Sequence, residues 1–363
     1  MPERSRAHEW TPITLLPLNG GPDPARLADS FLTPTSRFFV RNHGTIPIVD
    51  PDAFRLEISG MVRQPLRLSL DELTQRFPTV RRPALIQCAG FRRSELARVR
   101  AIPGELPWDE EPVSTAEWGG IRLADLLAAA MPDDAARHVA FEGCDDVERE
   151  GRRFGFGGSV TMEEAARHDV ILAFEMNGEP LTAEHGWPLR AVVPNVIGAR
   201  SVKWLTRIEL RPTASENYFQ RRAYKLVDRA GATTDAWEAA PAISTLPINT
   251  LICRPRGGER LCPGPIRLAG YAWSGEPGGV AAVEFSVRGG AGWRPARLSE
   301  INLPGCWREW TAEVDLASGR HDLLVRALLP DGSAQPADPA PLWNARGYMN
   351  NSWARAVLEV RAD

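Results

Sequence analysis

The feature that most limits what this chain can fold into is a change of rhythm after residue 212. Before it, strand-like runs alternate with short segments that carry helix-start signals. Ser69 with Glu72, and Thr161 with Glu164, have the spacing of a capping box, in which hydroxyl and carboxylate each satisfy an orphan backbone N–H. Leu123, Leu126, Leu127 and Met131 recur at the spacing of one helix face and read as core. Val202, Trp204, Ile208 and Leu210 alternate with Lys203, Arg207 and Glu209, as on a half-buried strand. Between 212 and 245, Pro212, the polar stretch 228–235 and Pro241 break all periodicity, predicting an extended connector. Beyond it helical signals vanish. Val283, Phe285 and Val287 form one period-2 run before Gly289 and Gly290, and Trp310, Ala312, Val314 and Leu316 form another. The expected architecture is an N-terminal extension (1–30), an α+β domain (31–215), a connector (216–245) and an all-β immunoglobulin-like sandwich (246–363).

At 363 residues, both domains can bury cores of their own. No stretch approaches the roughly 20 apolar residues of a membrane span, and the charged start lacks the apolar run of a secretory signal. The chain as written reads as cytoplasmic, or periplasmic if a leader has been removed. With 43 basic and 46 acidic side chains there is no basic field to hold nucleic acid, so anion selectivity would have to come from arginines gathered locally. Five widely spaced cysteines without a C-x-x-C pair argue against a zinc site and against a disulfide framework.

Taken alone, Cys88 reads as a buried packing residue. Its neighbours point elsewhere: Gly90 allows close backbone approach, and Arg92 and Arg93 place positive charge where a thiolate would be stabilised. A soft thiolate suits a soft metal centre. The plainer alternative is a surface ion pair beside a core cysteine. Three further segments concentrate chemistry. Phe38 to His43 compresses Arg41, Asn42 and His43 beside two aromatic rings; residues 185–200 are broken by Gly and Pro next to a strand, so that backbone could face a ligand; and Tyr224 sits among Arg221, Arg222 and Lys225, as a proton donor or as a capped surface ring.

These segments belong to an ordered series: Arg41-Asn42-His43, Cys88-Ala-Gly-x-Arg-Arg-Ser-Glu95, Phe174-Glu-Met-Asn-Gly178, His185-Gly-x-Pro-x-Arg190, Val193-Pro-x-x-x-Gly-Ala-Arg200, Val202-Lys-Trp204 and Gln220-Arg-Arg-x-Tyr-Lys225. Gly270-Tyr-Ala-Trp-Ser-Gly275, Gln335-Pro336 and Trp343-Asn-x-Arg-Gly347 continue it. The series resembles the sulfite oxidase family from about residue 30 to the C terminus. The resemblance implies a molybdopterin-binding domain followed by a dimerisation domain, hence a homodimer. It implies Cys88 as the molybdenum ligand, with Phe39, Val40, Arg41, Asn42, His43, Asp145, His185, Arg190, Ser201, Val202 and Lys203 at positions that contact the pterin or its phosphate. Arg41, Arg93 and Arg346 would gather around sulfite or a similar small oxyanion, with Trp108 nearby and Tyr224 at the reacting oxygen. Guanidinium forks suit such an anion because their bidentate bonds fix orientation as well as charge.

The implied reaction is two-electron oxygen-atom transfer from molybdenum to sulfite, giving sulfate, with the electrons leaving to an external acceptor such as a cytochrome or oxygen. No haem-attachment motif is present and no haem domain precedes residue 30. The pattern departs in four places: Phe91 replaces an asparagine and Phe156 a tyrosine, Tyr218-Phe219 replaces His-Trp, and one residue is inserted around Leu106-Pro107. Phe91 is expected to alter the pocket wall beside the thiolate. Reduction of nitrate or of an S- or N-oxide on the same scaffold is the alternative activity, disfavoured by Tyr224 and Arg346; a cofactor-free binding protein is the remote one.

Overall fold

The computed structural model describes residues 8–228 and 232–362. The first seven residues of the N-terminal extension and residues 229–231 of the connector lie outside the described residues.

The first half is built on two sheets, one mixed and one antiparallel. One has the spatial order Gly157–Thr161, His138–Gly143, Leu205–Arg211, Leu56–Gly60, Leu66–Leu68, with Leu205–Arg211 running parallel to Leu56–Gly60. The other runs Glu179–Pro180, Ile171–Met176, Val113–Arg122, Thr79–Gln87, with Arg190–Val192 also paired to Ile171–Met176. Both capping boxes form, at the starts of the helices Leu70–Arg76 and Met162–Arg167. Leu123, Leu126 and Leu127 bury as one face of Leu123–Ala130, but Met131 does not join them. It caps that helix in the left-handed region (φ 55°) and is 38% exposed, because the chain must turn there.

The strand expected from residue 201 begins only at Leu205. Trp204 has φ 50° and breaks the alternation, which frees Ser201 to Lys203 from the sheet. The connector is not extended throughout: it contains a π-helical turn, Phe219–Ala223, and a helix, Thr234–Ala239, whose N-cap Thr233 accepts from the Ala236 N–H.

The second half is a sandwich of two sheets, Asn249–Arg254, Gly264–Trp273, Arg308–Leu316, Arg297–Leu298 against Arg260–Leu261, Ala354–Val360, Gly319–Leu328, Ala282–Ser286, Arg294–Pro295. Leu268, Trp310 and Val314 from one inner face meet Val283, Phe285, Leu323 and Val325 from the other. Among the described residues no helix is long and apolar enough to cross a membrane.

The halves share a core. Leu251, Tyr271, Trp273 and Trp307 belong to the same buried cluster as Phe91 and Leu85. The Trp273 indole donates to Gln87 Oε1 at 2.6 Å, and the Tyr271 hydroxyl donates to the Leu27 carbonyl at 3.1 Å. The N-terminal segment is therefore a strap: its turn pairs Gly20 with Val40, and its short helix Pro24–Leu27 lies against the sandwich. This continuity lets the second half place side chains at a site made by the first.

Candidate active site

The strand Thr79–Gln87 pairs along its whole length with Val113–Arg122 and delivers Cys88 at its end, where the Cys88 N–H still bonds to the Pro112 carbonyl. The thiol is buried, and the Gly90 N–H points at its sulfur from 3.5 Å. A Cβ at 90 would lie 2.6 Å from the Arg93 guanidinium, so any side chain there would have to displace that group. Two neighbours turn the other way. Phe91 is fully buried edge-on to Trp273 (5.4 Å), so it belongs to the core between the halves and not to the wall beside the thiolate. Arg92 adopts a left-handed conformation (φ 57°) that swings its guanidinium onto the Ser352 and Trp353 carbonyls and Glu95. It fastens the second half.

Cys88 opens on a partly open pocket that holds, together with the solvent at its mouth, about 680 Å³ of empty space. Phe39, Arg41, Asn42, His43, Asp145, His185, Arg190, Ser201, Lys203 and Tyr224 share its wall. Three of these are cations that form no ion pair among the described residues. Arg190 donates to the His185 carbonyl (2.8 Å) and the Ser201 carbonyl (3.3 Å) and lies 4.8 Å over the Trp118 ring. Lys203 donates to Asn42 Oδ1 and to the Glu184 carbonyl. Arg41 donates to Asn19 Oδ1 and to the Asn42 carbonyl. Burial lowers Arg190 to about 9, and burial together with Arg190 holds Lys203 well below the usual lysine range. Uncompensated charge of this kind costs several kcal/mol, a cost that a bound anion removes. Asp145 supplies the complementary group: Oδ1 accepts from the Phe156 N–H at 2.8 Å, while Oδ2 is buried with no donor, and burial raises its pKa. A cofactor that carries both an anionic group and N–H donors fits these demands, and the Cys88 thiol, a donor suited to a soft metal, lies on the same wall.

The hydrogen bonds also fix proton positions. Arg41 Nη2 lies 3.2 Å and Arg149 Nη2 3.5 Å from His43 Nδ1. Guanidinium only donates, so Nδ1 must be the acceptor and Nε2 carries the proton. Nε2 is 2.8 Å from the Tyr224 hydroxyl, which therefore accepts from His43 and keeps its own proton for the cavity. Burial, then Arg41 and Arg149, hold His43 well below its ordinary range, and burial pushes the Tyr224 phenol up. His185 is likewise neutral, donating from Nε2 to the Thr35 carbonyl at 3.3 Å. Tyr224 stacks on Tyr348 (5.3 Å), while Arg221 and Arg222 turn outward to carboxylates.

Arg41 and His43 also line an outer vestibule, which adds Arg149, Glu105, Arg346 and Tyr348. Arg346 reaches it from the second half. Arg93 stands behind, 5.3 Å over the Tyr348 ring, donating to the Leu106 and Arg346 carbonyls. Trp108 does not line the cavity: the turn in which its N–H bonds to the Leu106 carbonyl folds the ring fully into the core with Phe38 and Cys88. Val40 and Val202 stay off the wall too, held by backbone bonds to Gly20 and Ala191.

Sequence reasoning missed Asn19, which accepts from both the Arg41 side chain and the Asn42 N–H, and also Glu105, Arg149 and Tyr348. Arg200, quoted in a motif without a role, is buried, lowered by burial to about 10, and lies 5.9 Å over the Tyr224 ring. Of the departures, Phe156 is the one on the cavity wall, stacked on His43 at 5.1 Å.

The chain is similar to known proteins along most of its length. Residues 43–219 match the oxidoreductase molybdopterin binding domain, and residues 240–361 match the Mo-co oxidoreductase dimerisation domain. Sulfite oxidase of Gallus gallus is 40% identical over 348 residues, which cover 93% of this chain and 75% of that protein. The mitochondrial sulfite oxidase of Homo sapiens is 40% identical over 95% of the chain, spanning 64% of the human protein. The NAD(P)H nitrate reductase of Hordeum vulgare is 36% identical over 95% of the chain but only 41% of its own length. Among solved structures, the sulfane dehydrogenase SoxCD from Paracoccus pantotrophus superposes with a TM-score of 0.80 at 26% identity, covering 99% of this chain and 90% of that one.

Proposed function

Because the chain belongs to the sulfite oxidase family and is a molybdopterin-dependent oxidoreductase, we propose that it oxidises sulfite to sulfate with Cys88 as the protein's ligand to molybdenum. The observation that carries this reading is the convergence of Arg41, Arg190 and Lys203, which have no ion-pair partner among the described residues, with Cys88 and Tyr224 on one pocket. The molybdenum-pterin group, when bound, supplies the two-electron oxygen-atom transfer. The chain holds it: Cys88 binds the metal, Arg190, Lys203 and Ser201 receive the phosphate, Asp145 accepts from the pterin N–H groups, and Phe39, Asn42 and His185 complete the wall.

Substrate enters through the vestibule, where Arg346 and Arg41 attract the oxyanion and Tyr224 donates a hydrogen bond to it. Arg93, behind Tyr348, adds charge without direct contact. His43 keeps the Tyr224 proton turned toward the substrate. Electrons pass to an external acceptor, a cytochrome, oxygen or another carrier, and residues 240–361 form the homodimer contact.

Nitrate reduction is the second reading, favoured by the barley relative's sequence. Steady-state assays of sulfite oxidation with an artificial acceptor and nitrate reduction by a reduced dye, on the same sample, decide between them. Sulfite turnover is expected. Turnover of nitrate alone would replace the proposal.

A further inference from the structure

One charge in the vestibule has no part in this scheme. Glu105 stands between two of the arginines: Arg346 Nη1 donates to Oε1 at 2.7 Å, and Oε2 lies 3.5 Å from Arg93 Nη2. Arg93 is otherwise satisfied by backbone carbonyls. Arg346 is not. Its one ion-pair partner among the described residues is Glu105, its Nε is buried with no acceptor, and its guanidinium rests 5.0 Å over the Trp237 ring. The arginine that the second half contributes is thus already bonded to a carboxylate. An entering oxyanion wants the same fork of donors.

The residue before Glu105 is unhindered. Gly104 has φ 79°, and nothing lies within 4 Å of where its Cβ would stand. The Glu105 carboxylate keeps only 12% of its side-chain surface exposed. It is shielded enough for the pair with Arg346 to be felt, since screening is weaker there than in open water.

We propose that Glu105 is an intramolecular competitor for the oxyanion site: it occupies Arg346 until an anion displaces it, and so sets the concentration at which the site fills. Displacement costs every anion the same, so ligands with the most to gain from the arginines, dianions able to bond both Arg41 and Arg346, are the ones that still bind. This inference rests on reading Arg346 as a substrate-binding group.

The test is calorimetric titration of sulfate into the purified holoenzyme, with nitrate measured by competition against sulfate, for the wild type and Glu105→Gln. The variant is expected to bind sulfate about tenfold more tightly, nitrate by the same factor, and to lower the KM for sulfite in step while kcat changes by less than about twofold. In an Arg346→Met background the effect of Glu105→Gln should vanish. Unchanged or weaker sulfate binding in a variant that unfolds at the wild-type temperature would overturn the proposal. So would an effect that survives the loss of Arg346, or a gain for sulfate near the square of that for nitrate, since the carboxylate would then be acting in place as a field. Binding is read without turnover: tighter sulfate binding without sulfite oxidation keeps the role of Glu105 and rejects the reaction, and normal oxidation with unchanged binding does the reverse.

Discussion

Replacing Tyr224 by Phe removes a single oxygen and leaves nearly everything else in place. The ring keeps its stack on Tyr348 at 5.3 Å and its place 5.9 Å from the Arg200 guanidinium. Two bonds are lost. One is accepted from His43 Nε2 at 2.8 Å; the other is the bond that the phenol offers to the substrate oxyanion. Leaving the His43 N–H without an acceptor costs the folded protein about 1–3 kcal/mol, readable as a shift in chemical denaturation. The bond to a charged ligand contributes about 1.5–3 kcal/mol, so kcat/KM for sulfite should fall by roughly 10- to 150-fold. The assay is steady-state sulfite oxidation across neutral to alkaline pH. Because burial keeps the phenol protonated well beyond its ordinary range, the alkaline limb of the profile should be the same in both proteins. A kcat/KM within about twofold of wild type, or an alkaline limb that disappears with the hydroxyl, would refute the assignment of Tyr224 as a neutral donor aimed by His43.

Three other predictions concern the surroundings. Arg92→Ala leaves Glu95 and the Ser352 and Trp353 carbonyls without their guanidinium; it should destabilise the fold by about 3–5 kcal/mol in urea, and a loss under about 1 kcal/mol would deny the lock between halves. Phe91→Asn, which introduces the asparagine that the family resemblance leads one to expect, should cost about 3–5 kcal/mol because the ring is packed on Trp273, while leaving the KM for sulfite within about twofold; a large KM change at unaltered stability would return residue 91 to the pocket wall. His185 is held well below its ordinary range, first by burial and then by Lys203. The unfolded chain therefore takes up a proton that the folded one refuses, and below about pH 6.5 this group removes about 1.4 kcal/mol of stability per pH unit. Selective NMR should show its imidazole neutral at pH 5.5, and ordinary titration would contradict a His185 held neutral by burial.

The two halves were legible because each declares a period: capping boxes and helix faces before residue 212, alternation after residue 280. Cys88 and most of the cavity wall were legible only through their resemblance to a family, since spacing alone leaves a lone cysteine as packing. The misplaced residues share a physical cause. Sequence adjacency put Phe91 and Arg92 beside the thiolate, but a left-handed turn at Arg92 sends both to the other half. A strand pattern that includes Trp204 conceals the positive φ that aims Ser201 and Lys203 into the cavity. Asn19, Glu105 and Arg149 have no local signal, because what gives them meaning is a partner far along the chain: Asn42, Arg346 and His43 respectively.

The central claim is that Cys88 is the protein's bond to molybdenum in a cavity that holds the pterin by its phosphate. X-ray absorption at the molybdenum edge, on wild type and Cys88→Ser purified with their metal and pterin contents measured, tests it most directly. The variant should keep its pterin, since Arg190, Lys203 and Asp145 are untouched, and should show one sulfur fewer around the metal, with sulfite oxidation abolished. An unchanged sulfur shell in the variant, or a wild-type protein from a pterin-competent host that carries no molybdenum, would contradict it.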